Sequence, residues 1–119
     1  MAASRAKGKR GELGWRDWLR EHGFRDARRG QQRAGGPDSP DVVDGIPGTH
    51  VEVKFAERLR LYDAVRQAVR DSEGGAVPYV AHRRSREEWL VTVRADDLFA
   101  FVRAVASSLP EAELTGEWP

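Results

Sequence analysis

The stretch Pro40-Asp41-Val42-Val43-Asp44-Gly45-Ile46-Pro47-Gly48-Thr49-His50-Val51-Glu52-Val53-Lys54 decides how the chain folds. It reads as two short strands joined by a tight turn. Val42 and Val43 are β-branched, Gly45, Pro47 and Gly48 punctuate, and alternation resumes from His50 to Phe55. Side chains alternate along a strand, so Glu52 and Lys54 share one side while Val51, Val53 and Phe55 take the other. A hairpin closed through Gly45 to Gly48 would set Asp41 beside the second strand, gathering two carboxylates and an ammonium. In most proteins such a pattern is a solvated strand face with one salt bridge. Here Glu-x-Lys lies in an apolar strand whose opposite side is expected to be buried, and the upstream acid opens an apolar run of its own. Pro37-Asp38 is a second Pro-Asp pair, but Val42-Val43 follow Asp41 directly and place it on a strand. Asp44, beside Gly45, belongs to the turn.

Upstream, residues 1–8 form a basic arm able to reach phosphates without reading sequence. A helix is predicted from about Lys9 to His22. Trp15, Trp18, Leu19 and His22 recur at helical spacing, and Gly23 is a stop signal. The two tryptophans read as core. Glu12 borders the apolar stripe one turn before Trp15; a helix-dipole role explains it as well as chemistry does. Phe24 to Arg29 reads as a strand and Gly30 to Ser39 as a loop, long for a compact domain.

Downstream, a helix is predicted from about Leu59 to Ser72 with Leu61, Tyr62, Val65, Ala68 and Val69 as its apolar stripe. That phase puts Gln67 nearly opposite. Ala76 to His82 reads as a strand, with Pro78 at an edge or early position. A basic turn (82–86), a strand from Glu88 to Val93, and a last helix capped by Asp96 and stopped by Pro110 complete the chain. The fold class is α/β: a central mixed β-sheet flanked by helices, order α-β-β-β-α-β-β-α, in one domain (9–109) before a tail (110–119).

At 119 residues the chain can build one sizeable core. It has no cysteine, so disulfides and thiolate metal sites are excluded and an intracellular, cytoplasmic setting is expected. No apolar run reaches membrane-span length, and the basic start reads as neither signal peptide nor anchor. The net charge of +1 conceals an asymmetry: residues 1–36 carry ten Lys and Arg against four Asp and Glu, and the remainder is acidic. Seventeen of the twenty basic residues are arginine, suited to bidentate phosphate contacts. A basic N-terminal third fits a polyanion partner, and equally an Arg-rich surface with ordinary salt bridges. His22, His50 and His82 fall on different elements and read as structural, so zinc is not expected.

A helix glutamate (Glu12), Pro40-Asp41 opening a strand, then Glu52-Val53-Lys54 followed by a helix resembles the PD-(D/E)XK nuclease superfamily. Gly8-Lys9-Arg10-Gly11-Glu12, and Gly23-Phe24 followed by Arg28, resemble its archaeal-type and phage Holliday junction resolvases. The likeness runs from about Gly8 to Val102. It implies a restriction-endonuclease-like fold and a homodimer that cuts four-way DNA junctions. It further implies Mg²⁺, with Mn²⁺ as substitute, ligated by Asp41, Glu52 and the Val53 carbonyl, and Glu12 as a further acid positioning water or a second ion. Lys54 would orient the attacking water, and Arg28 would grip the backbone near the cut. Arg5, Lys7, Lys9, Arg10, Arg29, Gln31, Gln32 and Arg33 are further candidates for DNA contact. Leu13 stands where archaeal members carry arginine, which leaves Arg10 or Arg16 for that job. Another nuclease of the superfamily, a nickase or restriction-type enzyme, and a non-catalytic DNA-binding protein are the alternative readings.

Overall fold

The computed structural model describes residues 2–30, 40–72 and 74–109, with side chains from residue 6 onward. Helix α1 spans Ala2–Glu21 and two short strands follow, β1 (Arg28–Arg29) and β2 (Val42–Val43). Next come β3 (Thr49–Phe55), helix α2 (Leu61–Asp71), β4 (Val77–Arg83) and β5 (Leu90–Thr92). A 3₁₀ turn (Ala95–Asp97) leads into α3 (Leu98–Ser108).

The strands form two sheets rather than one central sheet. β3, β4 and β5 make a mixed three-stranded sheet flanked by helices, with β3 parallel to β4 and β5 antiparallel to it. β1 and β2 pair antiparallel with each other, Arg28 opposite Val43 and Arg29 opposite Val42. The expected hairpin between the strands of the 40–54 stretch therefore does not form. The element order departs from α-β-β-β-α-β-β-α by the 3₁₀ turn before α3. The predicted strand 24–29 shrinks to Arg28–Arg29, because the chain turns from His22 to Asp26 after α1. Asp96 does not cap α3: the cap position is Asp97, whose carboxylate accepts Arg94 Nε at 2.7 Å. Pro78 falls early in a strand that is central, beyond the reach of β5.

One face of β3–β4 receives α1. Trp15 (1% exposed) and Leu19 pack with Val51, Val53, Tyr79 and Ala81, and Trp15 Nε1 donates to the Tyr79 hydroxyl at 3.1 Å. Trp18 stacks on Trp15 and, partly buried, packs against this core. His22 is exposed at the end of this stripe, its ring stacked on Trp18. The other face receives α2 through Ala64 and Ala68 against Val80. The buried stripe of α2 is thus Ala64, Ala68 and Asp71, while Tyr62, assigned to the stripe from sequence, is exposed. Two alanines one turn apart let the helix backbone come close to the sheet, and this contact sets the helix phase. No described helix is long and apolar enough to cross a membrane.

Candidate active site

Asp41 sits at the seam between the two sheets, on the edge of β3 that β4 leaves open. Its backbone N–H donates to Val51 O at 3.1 Å and its carbonyl accepts Gly30 N–H at 2.9 Å. Its carboxylate Oδ2 accepts Val53 N–H at 2.8 Å. One residue thus satisfies the open edge as a neighbouring strand would. Gly30 is required for this crossing, since a Cβ there would lie 2.1 Å from Pro40 O.

Alternation along β3 directs Glu52 and Lys54 to the α2 side. Lys54 Nζ lies 3.6 Å from Glu52 Oε1 and donates to Gln67 Oε1 of α2 at 3.2 Å. Gln67 therefore faces the site, contrary to the phase expected from Leu61, Tyr62, Val65, Ala68 and Val69, which places it nearly opposite. Glu52 is 6% exposed and Asp41 9% exposed. Burial raises the Asp41 carboxyl to about 7, and the nearby Glu52 charge adds to the rise. Burial also raises Glu52, opposed by Lys54 and reinforced by Asp71. Two acids held together out of water disfavour double ionisation unless a cation joins them.

Glu12 comes within electrostatic reach of Asp41 from α1, with its carboxylate held by Arg29 Nε. Arg28, on the opposite side of the two-residue β1, is exposed and pairs with Asp44 at 2.9 Å. The arginine that reaches the site from this strand is Arg29. Lys7, Gly8, Glu12, Asp41, Glu52 and Lys54 line a common open cleft of about 560 Å³. A larger cavity of about 720 Å³ is lined by apolar residues such as Leu19, Val42 and Tyr79 together with Arg25, Asp26 and Asp44, and gathers none of these groups.

Among the described residues no group of three His, Cys, Asp or Glu is disposed to hold a metal. The all-oxygen pair Asp41 and Glu52 does fit a hard cation such as Mg²⁺, which keeps most of its waters and takes one or two protein carboxylates. His82 contacts Thr92 Oγ1 at 2.9 Å across the β4–β5 pair, as a structural residue does. The side chain of Arg5, and Gln31, Gln32, Arg33 and the tail from residue 110, lie outside the described residues.

Sequence reading missed Asp71, buried near Glu52. The signal was present in Ala64 and Ala68, which sit on the same helix face as Asp71. Searches of protein-family models, curated proteins and solved structures yield no match to this chain.

Proposed function

We propose that the protein is a divalent-cation-dependent DNA endonuclease with a restriction-endonuclease-like fold of the PD-(D/E)XK type. It resolves four-way junctions by paired nicks from a homodimer. The observation that carries this reading is the meeting of Asp41, Glu52 and Lys54 in one cleft, with both acids raised by burial and Asp41 raised further by the Glu52 charge. A phosphodiester anion repels hydroxide, and a bound Mg²⁺ or Mn²⁺ supplies the charge that offsets this and acidifies water. Asp41 and Glu52 would hold that ion, with the Val53 carbonyl and Glu12 as further oxygen donors. Lys54, aimed by Gln67 and Glu52, orients the attacking water and faces the charge that grows on the phosphoryl oxygens. Arg29 fixes Glu12, and exposed Arg28 would have to exchange its Asp44 partner for the nucleic-acid strand.

Two symmetric cuts need two sites related by a two-fold axis. Leu98, Phe99 and Val102, all exposed on α3, offer an apolar surface for such pairing. The test is incubation with Mg²⁺ and either a labelled four-way junction or a linear duplex of the same sequence. Paired nicks in the junction are expected. Preference for linear duplex would make the protein a different nuclease of this type, and cleavage of neither substrate with Mg²⁺ or Mn²⁺ would remove the enzyme reading.

A further inference from the structure

Just beyond Lys54, three cations converge on one aromatic ring. Lys7 Nζ lies 5.0 Å from the Phe55 ring centre, the Arg83 guanidinium 5.1 Å and the Arg10 guanidinium 5.9 Å. Arg83 also lies over Trp89, at 5.6 Å. The three come from separate elements: Lys7 and Arg10 are one turn apart on α1, and Arg83 ends β4. Gly11 lets α1 close onto this point, since a Cβ there would meet Phe55 Cβ at 2.9 Å.

Gathering like charges is unfavourable unless something offsets it. Ring faces do so in part, at roughly 0.5–1 kcal/mol for each exposed contact. Among the described residues, none of the three cations has a salt-bridge or hydrogen-bond partner. Glu57 already accepts Ser85 N–H at 2.9 Å, a bond that lowers its carboxyl with help from the Lys7 charge. A guanidinium held over a ring without a hydrogen-bond partner keeps its N–H donors available, and these suit a phosphate. Lys7 and Phe55 also line the cleft that holds Asp41, Glu52 and Lys54.

We infer that Lys7, Arg10 and Arg83, arranged around Phe55, form a phosphate-binding subsite. It grips the nucleic-acid backbone flanking the phosphate presented to Asp41, Glu52 and Lys54. This inference rests on the nuclease reading and adds to it the path of the strand, out of the cleft past Phe55 toward the end of β4. Arg83 is its discriminating member, because phosphate contacts from α1 alone would not involve β4.

The test is fluorescence anisotropy of a labelled four-way junction in EDTA, titrated at several salt concentrations. Wild type is compared with Arg83→Gln, Lys7→Gln/Arg10→Gln and the control Arg66→Gln, which removes an exposed cation from α2. Thermal melts verify that each variant is folded. Each lost phosphate contact makes the slope of log K against log salt shallower by about 1 and weakens binding about eightfold at 0.1 M salt. Arg83→Gln should show one such step, the double variant up to two, and Arg66→Gln none. Wild-type affinity and slope in folded Arg83→Gln would overturn the subsite while leaving the nuclease reading intact. Failure of wild type to bind the junction even at low salt would overturn both.

Discussion

The two sides of β3 make opposite demands on the same seven residues. Toward α1, Val51 and Val53 join Trp15, Leu19 and Tyr79 in a dry core. Toward α2, Glu52 and Lys54 are held between sheet and helix, and Asp41 closes the strand edge between the two sides. The apolar side supplies the stability needed to keep two acids at a separation they would not choose. Placing charges on a strand whose other face is core fixes their direction through backbone alternation rather than through side-chain packing.

The largest effect should come from cutting the charged side. Asp41→Asn or Glu52→Gln is expected to lower junction cleavage by a factor on the order of 10⁴, about 5.5 kcal/mol of transition-state stabilisation. Junction binding should stay near wild type. Cleavage by either variant at the wild-type rate would falsify the assignment of the two acids. On the apolar side, Trp15→Ala should lower the unfolding free energy by about 4 kcal/mol in urea denaturation, with no direct effect on the acids. A loss below about 1 kcal/mol would mean that this face does not carry the core.

A smaller effect links the two sides through pH. The folded-state pKa of Asp41, about 7, lies above its ordinary 3.8, so the native state holds this proton more tightly than the unfolded chain does. Its contribution to stability is fully present below about pH 4 and is lost as pH rises through about 7. Without metal at pH 8, Asp41→Asn should therefore be more stable than wild type by on the order of 1–3 kcal/mol. The gap should close near pH 4, and Mg²⁺ should raise the melting temperature of wild type but not of the variant. A gap that did not change with pH would contradict the raised acid. The smallest effect belongs to Gln67→Leu, which removes one neutral partner of Lys54. It should reduce kcat roughly three- to tenfold, about 1 kcal/mol, with KM and the urea midpoint nearly unchanged.

The contrast between the two sides also explains what could be read in advance. Glu52 and Lys54 were legible because a seven-residue strand has a fixed period and valines marked its buried side. Asp41 was legible because Val42-Val43 tied it to a strand. The partner of that strand was not: β1–β2 pairing joins residues far apart in sequence, and no local pattern encodes it. The expected face of α2 holds Ala68 and Val65 but is rotated off Ala64 and Asp71, because large residues such as Tyr62 outweigh an alanine on any hydrophobicity count while close approach to the sheet favours the small one. In β1 two residues give no periodicity, so only the structure separates Arg29, bound to Glu12, from Arg28, bound to Asp44.

The hydrogen bond from Val53 N–H to the Asp41 carboxylate also installs a spectroscopic gauge inside the molecule. Any change of charge on that oxygen is felt by one amide in the middle of a buried strand. The Val53 amide resonance should follow the Asp41 titration with a midpoint near 7, and shift again when a divalent ion takes over the carboxylate. A single labelled peptide group would thus report the state of the cleft without any nucleic acid present.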